Sequence, residues 1–254
     1  MSLQFDQRRV LVTGASTGIG AATALAFARA GARVAIHYNQ SREAAEQVAD
    51  EAKGLGGDIT LLQGDVLETD GPRQVVDEAA QALGGLDVLV NNAGGLVGRQ
   101  ALADMEDELL EQVTALNYYS TARACRAAIP HLRQAGSGAI VNVSSIAASN
   151  GGGNGAVAYC AAKAAVSGFT RALAKELAGE GIRVNAISPG VIDTPFHERH
   201  TAPEAMQRMV GQIPMGRVGA PDECAGTVLF LASESTASYV TGQILEVNGG
   251  QYFG

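Results

Sequence analysis

The sequence predicts an α/β fold, a doubly wound sheet of parallel strands with helices on both faces. Three observations carry this expectation. Short apolar runs alternate with Ala-rich helical stretches, the runs lack strict polar alternation, and glycines recur at the joints between them. Continuous apolar runs suit strands buried on both faces, and a parallel pair needs a crossover of helical length. The 254 residues, 46% hydrophobic and 17% charged, suffice for one large unit over 1–254 with a substantial core. Thirty-two glycines without a three-residue period, beside only seven prolines, fit many tight connections in an ordered chain.

Taken in order, the first strand is Arg9 to Val12 and the first helix Ala21 to Arg29. Val34–Tyr38, Thr60–Gln63, Val88–Asn91 and Ala139–Ser144 follow as strands, with helical stretches between them. Gly31, Gly54, Gly84 and Gly136 stand just after those helices, where a left-handed C-cap favours glycine. Asp104 and Ser120 are N-cap candidates. Ala156–Ala178 reads as a long helix of small residues, Arg183–Ile187 as a strand, Pro221–Leu231 as a helix and Gln243–Val247 as the last of seven strands. Right-handed crossovers then give a Rossmann-type arrangement. A proline-interrupted stretch breaks the rhythm and is expected to be a lid insertion at about 194–217.

Charge and cysteine usage narrow the function classes. A net charge of −8 without a Lys/Arg cluster disfavours nucleic acid and anionic membranes as partners. Cys125, Cys160 and Cys224 are odd in number and lack C-x-x-C spacing, which fits reduced thiols in a cytoplasmic protein. No secretory signal or membrane-length apolar stretch is evident, which also points to the cytoplasm. His197 and His200 flank Glu198, but no further ligands accompany them, so a solvated loop and no metal are expected.

Thr13 to Gly20 joins the first strand to the first helix through Gly14, Gly18 and Gly20. Such a turn brings free backbone N–H groups and the positive helix end to an anion, and a Cβ would hold that anion away. The spacing departs from G-x-G-x-x-G, and a plain packing turn is the alternative. Tyr159 and Lys163, four apart in the long helix, share a face. A fixed cation stabilises a phenolate and lowers the phenol's pKa from ~10, although such pairs are also common on solvated helices. Ser144 and Ser145 end the fifth strand, at the carboxyl edge where doubly wound sheets bind ligands.

The order of these motifs resembles the short-chain dehydrogenase/reductase family over essentially the whole chain, nearest its 3-oxoacyl-carrier-protein reductase and glucose dehydrogenase branch. By that resemblance Gly14, Ser16, Thr17, Gly18, Ile19 and Gly20 hold a pyrophosphate, and Asp65 and Val66 meet the adenine. Asn91 steadies the sheet, Asn92, Ala93 and Gly94 line the adenosine side, and Pro189, Gly190, Ile192 and Thr194 hold the nicotinamide carboxamide. Asn117, Ser145, Tyr159 and Lys163 form the catalytic tetrad. Ser145 stands one residue farther from Tyr159 than the commoner family spacing; Gly151 to Gly153 and Gly155 absorb the difference, with Ser144 as fallback.

The resemblance implies hydride transfer between nicotinamide and a carbonyl or secondary-alcohol carbon. Tyr159 exchanges the proton, Lys163 lowers its pKa and binds the nicotinamide ribose, Ser145 holds the substrate oxygen, and Asn117 positions a water linking Lys163 to solvent. NADP(H) is preferred, because Tyr38 stands where NAD-binding chains place an acid, followed by Asn39, Gln40, Ser41 and Arg42. NAD(H) stays open: Thr17 occupies a place where many NADP-using relatives carry arginine, and Arg42 reads equally as a solvated helix residue. The substrate is a small carbonyl or alcohol, either a 3-oxoacyl thioester or, with NAD, a sugar, polyol or other small alcohol. For an acyl carrier protein the chain offers Gly136 and Glu180 where relatives place arginines, with Arg133 and Arg183 offset. Met206, Met209, Val210 and Ile213 form an apolar stripe that packs the lid or closes over substrate. A homotetramer is the expected assembly. A catalytically silent dinucleotide-binding regulator and a nucleotide-sugar epimerase are the rival classes.

Overall fold

A computed structural model describes residues 3–196, 201 and 203–254. Its seven strands are β1 (Arg9–Val12), β2 (Arg33–Tyr38), β3 (Asp58–Gln63), β4 (Val88–Asn91), β5 (Gly138–Val143), β6 (Ile182–Pro189) and β7 (Ile244–Val247). They form one parallel sheet in the order β3-β2-β1-β4-β5-β6-β7, the Rossmann-like arrangement expected. The helices are α1 (Gly18–Arg29), α2 (Arg42–Gly54), α3 (Gly71–Leu83), α4 (Asp107–Thr114), α5 (Ser120–Ala135), α6 (Ala147–Asn150), α7 (Val157–Leu177), α8 (Pro203–Val210), α9 (Pro221–Ala232) and α10 (Glu234–Ala237).

Both faces of the central strands are buried, which explains the unbroken apolar runs. In β1, Val10 and Val12 face a layer with Phe27 of α1 and Val228 of α9. Leu11 between them faces the opposite layer, with Leu83, Leu132 and Leu177 of α3, α5 and α7. Such a strand is apolar except where a polar side chain finds a buried partner, as Asn91 and Asn142 do. The strands' carboxyl ends, with the loops that follow them, open onto one edge, and the strand order reverses between β1 and β4, where a crevice forms.

Beyond shifts of one or two residues at other element ends, four expected helix starts and caps are placed differently. Helix α1 starts at Gly18, inside the glycine turn, because Thr17 already has extended N-cap geometry. Gly54 is the last residue of α2, and Gly56 takes the left-handed conformation (φ 86°) instead; Gly84 and Gly136 end α3 and α5 in that conformation as anticipated. Asp104 closes a 3₁₀ turn, and Glu106 precedes α4 as its N-cap. Ser120 caps nothing: α4 runs through a π turn, Ala115–Tyr119, into α5, and the Ser120 hydroxyl donates back to the Leu116 carbonyl at 2.6 Å. A π turn carries one extra residue per turn, and here it sets the orientation of Asn117.

Beyond β6, Ile192 pairs with Gly219, fastening the two ends of the excursion that contains α8. Ile213 is buried against Gly249, so this part of the apolar stripe packs the insertion down, whereas Met209 lines the cleft below. His197, Glu198 and His200 lie outside the described residues. Among the described residues no cluster suits a metal ion, no helix is long and apolar enough to cross a membrane, and the three cysteines are free.

Candidate active site

A cleft of about 690 Å³ runs from the glycine turn to α8 along the carboxyl edge of the sheet. Its first wall is built by Thr13, the residue after β1. The Thr13 hydroxyl accepts from the backbone N–H groups of Asn92 (3.0 Å) and Ala93 (3.1 Å), and Asn92 Nδ2 donates to the carbonyls of Thr13 (3.0 Å) and Gly14 (2.8 Å). The turn after β1 and the loop after β4 are thereby fastened together. A Cβ on Gly14 (φ 61°) would lie 2.9 Å from Ala93 Cα, and one on Gly20 would strike Asn92 Nδ2. Gly14, Thr17, Gly18 and Ile19 line the cleft, whereas half-buried Ser16 does not. Thr17 makes no side-chain cap bond and no acid stands in the first turn of α1, so the positive helix end faces the cleft uncompensated.

At the end of β2 and just beyond it, Tyr38 is buried, Asn39 half-buried, and Ser41 exposed. Arg42 is not a free cation, because its Nε donates to Glu46 at 2.8 Å one helical turn on. Asp65 accepts the Leu67 N–H at 2.8 Å, forming a turn, with Val66 buried beside it. Sequence reasoning missed His37. Its imidazole is buried and bridges Gly14 N and the Gly64 carbonyl at 3.1 Å each. A lone histidine in an apolar strand carries no sequence signal that separates it from core packing.

The reacting end gathers residues from β5, the π turn and α7. Tyr159 is hydrogen-bonded to Ser145, whose Oγ also accepts the Ala147 N–H at 3.1 Å. The extra residue between them is taken up by α6 and the loop after it, where Gly151, Gly152 and Gly155 hold positive φ. Ser144 is excluded as the fallback: its hydroxyl is buried between the Lys163 carbonyl (3.0 Å) and Ser167 (2.8 Å). Lys163 Nζ donates to the Val143 carbonyl at 2.8 Å and lies 5.8 Å from the centre of the Tyr159 ring. Asn117 accepts from Gly95 N–H (3.0 Å) and donates to the carbonyls of Gly95 (2.8 Å) and Val113 (2.9 Å). Asn117 Oδ1 and Lys163 Nζ flank Gly94, at 2.8 and 3.0 Å from where its Cβ would stand.

The electrostatics depart from the expected lowering of the phenol. Burial pushes Tyr159 up to about 12, with the Ser145 hydrogen bond acting against it. Burial likewise pulls Lys163 down to about 8. Both groups are desolvated together, and the ammonium is bonded to a carbonyl rather than to the phenol. The isolated site thus holds a protonated tyrosine beside a lysine that is charged only below about 8.

Pro189, Gly190, Ile192 and Thr194 line the same cleft, with Thr194 against Gly18. Past Tyr159, the walls include Leu96, Arg99, Asn150, Phe196, Arg208 and Gln251, and among the described lining residues no acid appears. On the outer surface Arg133 is paired with Glu180 (2.8 Å from Nη2 to Oε1), and Arg183 donates to the Leu231 and Ala232 carbonyls at the end of α9.

A family model described as enoyl-(acyl carrier protein) reductase matches residues 14–251. The chain is 41% identical over 250 residues to 3-oxoacyl-acyl-carrier-protein reductase FabG of Thermotoga maritima, covering 98% of this chain and 99% of that one. It is 41% identical to a glucose and ribitol dehydrogenase homolog of Oryza sativa subsp. japonica, covering 94% and 84%. Among solved structures, 7α-hydroxysteroid dehydrogenase complexed with NADH and 7-oxo glycochenodeoxycholic acid superposes with a TM-score of 0.92 at 36% identity, covering 98% and 95%.

Proposed function

The chain belongs to the short-chain dehydrogenase/reductase family and is an oxidoreductase, and from that premise we propose that it reduces a carbonyl with NADP(H), a 3-oxoacyl thioester being the first substrate class. The observation that carries the reading is the meeting of Ser145, Tyr159, Lys163 and Asn117 beside the glycine cradle in one cleft. The cradle fits a dinucleotide: Gly14 and Gly18 bring bare backbone to its lining, and α1 leaves its first-turn charge unanswered. Gly14, Thr17, Gly18 and Ile19 would hold the pyrophosphate, Asp65 and Val66 the adenine, and Pro189, Gly190, Ile192 and Thr194 the carboxamide. A bound nicotinamide dinucleotide supplies the hydride.

In this reading Ser145 holds the substrate oxygen, and Tyr159 gives it a proton as the carbon becomes an alcohol. Lys163 binds the nicotinamide ribose, and Asn117 positions a water that links Lys163 to solvent. The neutral Tyr38 at the end of β2 supports NADP(H), since no carboxylate there repels a 2′-phosphate. The pairing of Arg42 with Glu46 makes that phosphate's cation one that must first exchange partners. Fluorescence titrations with NADPH and NADH test the preference; a lower dissociation constant for NADH overturns it.

A second reading, a free small sugar, polyol or other alcohol oxidised with NAD, is favoured by one observation. Arg133 and Arg183, the basic residues offset from the places where carrier-binding relatives have arginines, are tied to Glu180 and to the end of α9. An acetoacetyl thioester assayed beside a sugar and ketone panel separates the two by which one changes nicotinamide absorbance. No change with any of them favours a dinucleotide-binding regulator instead.

A further inference from the structure

We infer that His37 is a positioning residue for the dinucleotide, holding the glycine turn in its phosphate-binding shape through a neutral imidazole protonated on Nε2. The tautomer follows from the partners. Gly14 N–H only donates and the Gly64 carbonyl only accepts, so Nδ1 carries the lone pair and Nε2 the proton. At 2% exposure the ring is closed to water, and no solvent substitutes for either bond.

The two partners belong to different walls of the site. Gly14 opens the turn after β1, and Gly64 precedes Asp65 and Val66. The His37 backbone carbonyl also accepts the Ala15 N–H at 2.8 Å. Residue 37 therefore draws back the first two amides of the turn, while Thr17, Gly18 and Ile19 face the cleft. Gly14 has no freedom to drift, with Ala93 on its other side and Asn92 on its carbonyl.

Protonation is incompatible with this clasp, because a second ring N–H would then confront Gly14 N–H. Around the ring, β3 contributes Leu62 in register, α3 contributes Val75 over Gly64, and the loop after β3 contributes the charged group that bears on it, Asp65. Burial holds the imidazole below its usual 6.5, outweighing the Gly64 carbonyl and Asp65, which favour the cation. The clasp is thus intact through neutral pH and opens as the solution is acidified.

The inference rests on the dinucleotide site proposed above, and equilibrium binding tests it apart from turnover. NADH is titrated by fluorescence against wild type, His37→Asn, His37→Gln and His37→Leu, from neutral pH downward. NADH is used because a 2′-phosphate titrates near ~6 on its own account. His37→Asn places an acceptor where Nδ1 was, and is expected to bind within about 3-fold of wild type at neutral pH with a flat pH profile. His37→Leu, and His37→Gln, whose amide reaches Gly64 rather than Gly14, are expected to bind about 10-fold more weakly. Wild type is expected to weaken below the usual histidine range. Where His37→Leu fails to fold, the Asn and Gln variants and the wild-type profile decide. Equal binding by wild type and His37→Gln, or the same acid profile in His37→Asn as in wild type, overturns the inference alone. A wild-type protein that binds neither NADH nor NADPH overturns the dinucleotide reading and the inference with it.

Discussion

At the scale of single residues, burial keeps Tyr159, the proposed proton donor, in its protonated form. Tyr159→Phe removes only the hydroxyl, so carbonyl reduction is expected to fall by ~10²–10⁴-fold while NADPH titration shows a nearly unchanged dissociation constant. The two displaced pKa values fix the pH dependence. Tyr159, at about 12, is protonated and ready to donate throughout the neutral range, and Lys163 keeps its charge below about 8. Steady-state reduction at saturating cofactor is therefore expected to stay level from neutral pH to about 8 and decline above it, whereas alcohol oxidation, which needs the phenolate, rises with pH. An oxidation rate that is flat with pH would count against Tyr159 as the base. The spacing of Tyr159 and Lys163 was readable in the sequence. Their desolvation was not, because it depends on how much of the chain closes over both.

Among the elements, the central strands are coupled by a buried polar ladder. Asn91 of β4 donates to Asn142 of β5 at 2.9 Å, and Asn142 donates to Thr170 of α7 at 2.9 Å. The ladder links β4, just before the loop that is fastened to the glycine turn, to the helix that carries Tyr159 and Lys163. Asn142→Ala leaves the Asn91 amide without its carboxamide acceptor and opens a small void, and is expected to destabilise the fold by on the order of 2–4 kcal/mol. A shifted urea midpoint at constant m-value checks this; an unchanged midpoint would show the ladder to be dispensable. Strand existence was legible because both-face burial leaves continuous apolar runs. Helix termini were less so: Ser120 looks like a cap, but with the helix already passing through the π turn its hydroxyl has only Leu116 O to reach.

For the whole molecule, we expect a homotetramer. Leu110 of α4, Tyr119 of the π turn and Val157 of α7 are exposed apolar side chains on adjoining helices, and Tyr119 is overlain by Arg123 at 5.5 Å. Light scattering at micromolar concentration is expected to give four times the chain mass, and a monomeric mass contradicts this. Replacing Tyr119 and Val157 together by Lys is expected to shift the mass downward without loss of helical circular dichroism if these helices carry the interface.

The sequence by itself determined the sheet, its parallel sense, the glycine turn after β1 and the shared helix face of Tyr159 and Lys163, while the other site residues were named through the family resemblance. The sheet, the turn and the shared face follow from local signals, namely apolar runs, glycines at the turn, and a four-residue spacing on one helix, each of which is physical information carried within a few residues. Only the tertiary structure decided that Ser145 rather than Ser144 meets Tyr159, that Arg42, Arg133 and Arg183 already have partners, and that His37 clasps the glycine turn. Each of these depends on contacts between distant parts of the chain or on which side of a backbone faces the cleft. Burial, charge state and hydrogen-bond partners are properties of the packed molecule, and no local pattern fixes them.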